Sequence, residues 1–115
     1  MPKKSQQKGK RGEIELTEIL RNAGHNAIWG GSQTFGTVPD IRGLPEIHIE
    51  CKRNERLNIS NAMQQSITDA ERFNDGAPCV FHRRNRENWL VTMRLDDWLK
   101  FYERGRSCEK AKIDR

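Results

Sequence analysis

Three side chains in one short stretch have the types and spacing for chemistry on a phosphate. The segment VPDIRGLPEIHIECKR, residues 38–53, carries Asp40 directly after a proline and, beyond a Gly-Leu-Pro turn, Glu50 and Lys52. Residues 46–52 alternate strictly between polar and apolar, the period of a strand with one face in the core. Period 2 sends Ile47, Ile49 and Cys51 to one face and His48, Glu50 and Lys52 to the other. If the strand opening at Pro39-Asp40 lies beside this one, two carboxylates become neighbours and repel unless a cation sits between them. Oxygen ligands so arranged suit Mg²⁺ or Mn²⁺, with waters completing the octahedron. The main-chain carbonyl of Cys51 is available as a further ligand. Such a metal polarises a phosphoryl oxygen and lowers the pKa of a bound water, and Lys52 is placed to orient that water or to stabilise charge building on the phosphate. The plain alternative for acid-x-Lys on a strand is a solvated ladder pair.

The elements that must position these residues follow from periodicity and punctuation. Residues 9–24 read as a helix ended by Gly24, with Leu16, Ile19, Leu20 and Ala23 as its apolar stripe. Residues 25–29 are a short strand, 30–38 a glycine-rich polar loop, and Pro39-Asp40-Ile41 opens the next strand before the 46–53 strand. Ser60 is a candidate N-cap for a helix running to Phe73, with Met63, Ile67 and Ala70 at helical spacing. Residues 77–84 and 88–94 are two strands of a hairpin, and Leu95 to about Tyr102 is a final helix. The order α-β-β-β-α-β-β-α predicts an α/β fold, a mixed β-sheet flanked by helices. Residues 1–8 read as a disordered basic arm, 9–103 as a single domain and 104–115 as a charged tail.

Composition bounds the partner. The chain of 115 residues has 21 Lys+Arg against 16 Asp+Glu, a net charge of +5 and a pI near 9.4, which fits a polyanion. The cations cluster: Lys8, Lys10 and Arg11 in the N-terminal segment, Arg53 and Arg56 just beyond Lys52, and Arg83, Arg84 and Arg86 in HRRNR, residues 82–86. Arginine grips phosphate bidentately, so three in one turn favour backbone contact over base reading, against the plain alternative of a solvated turn. The three cysteines have no CxxC spacing, so neither a zinc signature nor a disulfide framework is expected. With no signal peptide and no bilayer-length apolar run, the protein is expected to be cytoplasmic and to have no membrane partner.

Pro39-Asp40 followed by Glu50-Cys51-Lys52 resembles the motif of the PD-(D/E)XK nucleases. The opening KGKRGEIELTEILRNAG is similar to the first helix of the archaeal Holliday junction resolvases, which puts Glu13 in the place of the family's third acidic residue. GGSQ before the Pro-Asp pair resembles those enzymes' mobile serine loop and carries over Ser32, although the spacer SQTFGTV is longer than theirs. ECKRNERLNISNAMQQSITDA, with HRRNRENWLVTMRLDDWL, is similar to small phage-encoded resolvase-like nucleases. The resemblance covers about residues 8–102 and implies a restriction-endonuclease-like fold. It also implies a Mg²⁺-dependent endonuclease, with Mn²⁺ substituting, that resolves four-way junctions or other branched DNA. It sets that activity in phage recombination or genome packaging, hence in a host cytoplasm.

The resemblance implies further roles. Asp40, Glu50, the Cys51 carbonyl and Glu13 would hold the metal; Lys52, Gln65 and Ser32 would join the catalytic set, with Gln64 the substitute for Gln65. Glu13 as an acid favoured by the helix dipole and Ser32 as a plain loop residue remain the alternatives. His48 shares the active face and reads as a neutral hydrogen-bonded histidine, with a DNA or catalytic role the other reading. Glu15 reads as a surface acid. Symmetric cutting of two strands needs two sites, so a homodimer is expected, with Trp29, Trp98 and Phe101 as candidate interface residues and simple core packing the alternative for all three. Two other readings stand beside this one: a virus-type replication-repair nuclease or nickase of broader substrate, and a non-catalytic DNA-binding dimer.

Overall fold

The computed structural model describes residues 2–31 and 37–113, with side chains from 8 to 31 and from 37 to 109. Helix α1 spans Pro2–Asn22 and is followed by β1 (Ile28–Trp29), β2 (Ile41–Arg42) and β3 (Ile47–Lys52). Helix α2 (Ile59–Phe73) then leads to β4 (Ala77–His82), β5 (Leu90–Met93) and α3 (Leu95–Ile113). The strands form one sheet in the order β1-β2-β3-β4-β5, antiparallel except for the parallel pair β3 and β4 that α2 connects. The expected element order and α/β class are therefore observed.

The boundaries differ where local chemistry outweighs the simplest reading. Helix α1 takes in the segment expected to be a disordered arm, because Lys and Gln are good helix formers and Pro2 sits in the first turn, where it costs no hydrogen bond. Its end is as expected: Gly24, at φ 99°, donates to the Arg21 carbonyl at 3.0 Å. Helix α2 is capped by Asn58 rather than Ser60; the Asn58 side chain accepts from the Asn61 N–H at 3.0 Å, satisfying a donor that the helix leaves orphaned. Helix α3 continues through residues expected to fray, a stretch of Lys, Glu, Arg and Ala that favours helix.

Two layers cover the central strand. Leu16 and Leu20 of α1 pack with Ala27, Ile41, Ile47, Ile49 and Cys51, the apolar face that alternation assigned to β3. Ile19, expected in the same stripe, is instead 44 % exposed, while Thr17 is buried with its hydroxyl donating to the Glu13 carbonyl at 2.7 Å. On α2 the buried residues are Ala62, Ser66 and Ala70. Their small size lets the helix lie close to the sheet, and Ser66 Oγ donates to the Cys79 carbonyl at 2.9 Å. Gly12 does similar work on α1, since a Cβ there would stand 2.7 Å from Arg53 Cβ. Both faces of β3 are thus covered, and His48 and Glu50 are buried along with Ile49.

Leu90 and Val91 on β5, and Leu95, Trp98, Leu99 and Tyr102 on α3, are exposed. Trp98 stacks on Tyr102 with ring centroids 5.1 Å apart. Among the described residues no helix is long and apolar enough to cross a membrane.

Candidate active site

Strand register sets the centre of the site. Ile41 pairs with Ile49 across β2 and β3, so one step further along the antiparallel ladder Asp40 faces Glu50. The Asp40 position is held by main chain: Cys51 N–H donates to Asp40 Oδ2 at 3.0 Å, and Gly30 N–H donates to the Asp40 carbonyl at 2.8 Å. A side chain at Gly30 would run into the Pro39 carbonyl, 2.3 Å from an added Cβ, so glycine is required where β1 meets this strand. Lys52, two residues along from Glu50, holds its Nζ 4.0 Å from Glu50 Oε2. These residues line a cleft of about 340 Å³ together with Glu13 from α1 and Gln65, Asp69 and Phe73 from α2.

The carboxylates strain against one another. Burial first, then the Glu50 charge, push Asp40 up to about 6, against the Cys51 N–H and Lys52. Burial and then Asp40 push Glu13 up to about 7, although Trp29 Nε1–H donates to Glu13 Oε1 at 3.3 Å. Three acids near one lysine are a donor set in want of a cation. The Cys51 thiol is raised by burial first and then by Asp40, Glu13 and Glu50, so it stays protonated and offers only its carbonyl.

His48 is hydrogen-bonded at both ring nitrogens, as expected of it. It is 1 % exposed, with Nδ1 at 2.9 Å from Asp75 Oδ2 and Nε2 at 3.4 Å from Glu50 Oε1. Burial lowers its pKa, but the bonds to Glu50 and Asp75 outweigh that and hold it above the ordinary histidine value. Among the described residues, the set able to offer three donor atoms within 4.8 Å of one another is His48, Glu50 and Asp69. Asp69 and Asp75 escaped the sequence reading. The signal for Asp69 was available: Gln65, Asp69 and Phe73 recur every fourth residue and so share one face of α2.

The basic segments converge beside this cleft. Glu55 Oε1 accepts from Lys8 Nζ at 3.2 Å and from Asn85 N–H at 2.7 Å, while Arg53 Nη2 donates to Asn85 Oδ1 at 2.6 Å. The first helix, the segment after Lys52 and the β4–β5 turn are therefore tied together. Arg53 Nη1 is buried without a hydrogen bond, 3.6 Å from Glu55. Arg11, Arg56, Arg84 and Arg86 are exposed, and Lys10 lies over the Trp29 ring at 5.7 Å. Arg83 departs from the expected role of free phosphate grip. Its guanidinium donates to both Glu15 oxygens, at 2.8 and 3.0 Å, and Trp89 Nε1–H donates to the same carboxylate at 2.7 Å. Glu15, expected to be an idle surface acid, is the acceptor of that network, and Arg83 holds its pKa down. Trp29, expected at an interface, belongs to the site through Glu13. Ser32 lies outside the described residues.

An antiparallel pair opposing two carboxylates, an acid-x-Lys on the central strand and a parallel crossover behind it define the PD-(D/E)XK class of nucleases. A family model described as archaeal Holliday junction resolvase (Hjc) matches residues 4–111, and the chain belongs to that family. It is accordingly a Holliday junction resolvase, and a nuclease. Among solved structures it is similar to Hjc of Archaeoglobus fulgidus, a Holliday junction resolvase from an archaeal hyperthermophile. The two share 28 % identity over 75 % of this chain and 72 % of that one, with a TM-score of 0.54. No curated protein matches the chain.

Proposed function

We propose that the protein is a divalent-metal-dependent, structure-selective endodeoxyribonuclease that hydrolyses phosphodiester bonds at four-way junctions as a homodimer. The observation that carries this reading is the opposition of Asp40 and Glu50 across β2 and β3, with Lys52 on the same face of β3. The donor set fits a hard divalent cation: Asp40 and Glu50 carboxylates, the Cys51 carbonyl and Glu13, crowded enough that two acids are raised in pKa when no cation balances them. Mg²⁺, or Mn²⁺ in its place, supplies Lewis-acid polarisation of the scissile phosphate when bound there. Lys52 stands beside that phosphate and stabilises the charge that develops on it. Gln65, on the facing helix, orients the attacking water or a phosphate oxygen. The Cys51 N–H keeps Asp40 aimed, and Trp29 keeps Glu13 aimed, so neither carboxylate reorganises during the reaction.

Substrate grip falls to the cations of the three segments that meet at Glu55. Lys8, Lys10, Arg11, Arg56, Arg84 and Arg86 present positive charge from these segments, with Arg53 held among them by Asn85 and Glu55, which suits phosphate contacts that fix orientation without reading sequence. The homodimer is supported by the apolar surface of β5 and α3, where Leu90, Leu95, Trp98 and Tyr102 are each about half exposed or more. A second copy is the occupant this face fits, because symmetric cleavage of a junction needs two sites and one chain carries one. Trp98 remains an interface residue in this reading; Phe101 is half-buried, with Arg104 5.5 Å above its ring.

Labelled four-way junction and a matched linear duplex, incubated with Mg²⁺ and either wild type or Asp40→Asn, test the reading. Paired symmetric cuts in the junction alone, lost in Asp40→Asn, are expected. Equal cutting of both substrates would favour a broader repair-type nuclease, and tight binding without cutting would leave a DNA-binding dimer.

A further inference from the structure

The face of β3 that carries Glu50 also carries a buried imidazole which the resolvase chemistry above does not use. His48 Nδ1 lies 2.9 Å from Asp75 Oδ2, and its Nε2 points at Glu50 Oε1 from 3.4 Å. Asp69, from the helix above, brings a carboxylate oxygen within 4.8 Å of both. Asp75 is a carboxylate and can only accept, so the Nδ1 proton is committed to it and Nε2 presents either a second proton or a lone pair. A carboxylate fixing one nitrogen of a histidine so that the other faces inward is the arrangement that metal-ligating histidines use. The 3.4 Å separation is long for a charge-assisted bond, which runs about 2.7–2.9 Å. It is close to the spacing of two donors on one ion at about 2.1 Å each, roughly 3.0–3.5 Å.

The geometry points to a second divalent-cation site, formed by His48 Nε2, Glu50 and Asp69 and sharing Glu50 with the Asp40 site. A nitrogen ligand beside two carboxylates favours borderline ions such as Co²⁺ and Zn²⁺, and admits Mn²⁺ more readily than Mg²⁺, which prefers all-oxygen shells. Glu50 would then offer one oxygen towards each site, Oε1 on the His48 side and Oε2 on the Lys52 side. The site rests on the nuclease reading only for that shared role of Glu50; its ligands are defined without it.

Mn²⁺ binding to the full-length protein, followed by electron paramagnetic resonance for stoichiometry and for nitrogen coupling, separates the alternatives. Asp69 is partly exposed on a helix, so Asp69→Asn removes a ligand while keeping shape. The expected result is two Mn²⁺ per wild-type chain, one in Asp40→Asn and one in Asp69→Asn. Nitrogen coupling should be present in the first two forms and lost in the third, with affinity at that site falling tenfold or more. Absence of nitrogen coupling in wild type, or unchanged affinity and coupling in Asp69→Asn, overturns the site. A single ion lost in Asp40→Asn and kept in Asp69→Asn also overturns it while leaving the nuclease reading intact. A single nitrogen-coupled ion kept in Asp40→Asn and lost in Asp69→Asn supports it and removes the metal from the nuclease reading instead.

Discussion

Replacing Asp40 by Asn should make the metal-free protein more stable at neutral and alkaline pH, although the same change is expected to abolish cleavage. Asp40 is raised from 3.8 to about 6 by burial and by Glu50. An acid whose pKa is higher in the fold than in the unfolded chain supports folding while protonated. That support is whole below pH 3.8 and is lost as pH rises through about 6. At about 1.4 kcal/mol per pH unit, the full loss is about 3 kcal/mol by pH 8 and about 1 kcal/mol at pH 4.5. Asparagine matches the shape and still accepts from Cys51 N–H, so the variant keeps the bond and sheds the charge. The gap at pH 8 corresponds to roughly 10 °C in Tm for a domain of this size. Urea unfolding of both proteins in EDTA at pH 4.5, 6 and 8 measures it. Adding Mg²⁺ should close the gap from the wild-type side, by about 2.7 kcal/mol at a hundredfold excess over Kd. A variant less stable than wild type at pH 8, or a gap that widens towards acid, would refute the account of Asp40 as a charge held unfavourably for the sake of a cation.

Two further outcomes follow from the placement of the arginines and the apolar face. Arg83→Ala should cost about 1 kcal/mol of stability in urea unfolding, a figure reduced for the partial exposure of its pair with Glu15. It should change junction affinity little, whereas Arg84→Ala and Arg86→Ala should weaken binding and each flatten the log-log salt dependence by about one, as read by fluorescence anisotropy. Leu95→Glu combined with Trp98→Glu should convert a dimer into a monomer by sedimentation velocity and turn paired cuts into single ones; a wild type that sediments as a monomer at tens of micromolar would remove the dimer.

How much of this was legible in the residues depends on the reach of each signal. Strict alternation over residues 46–52 determined which side chains of the central strand share a face, because period 2 is a property of extended backbone whatever surrounds it. Helix ends marked by Gly24 were legible for the same local reason. Asn58 shows the limit: Asn58 and Ser60 are both competent caps, and only the path of the chain leaving β3 decides which one bonds. The length of α1 was hidden by its charge, since a polar helix and a disordered basic arm have the same composition. Tertiary structure alone decided that both faces of β3 are covered, so that His48 is held between two carboxylates rather than solvated. It also decided that Arg83 is spent on Glu15 and that Asp69 reaches Glu50. Each of these depends on contacts between residues far apart in the chain, set by the crossover that stacks α2 over the parallel pair and by the packing of α1 beside the β4–β5 turn, and one strand's periodicity holds no information about what another element lays against it.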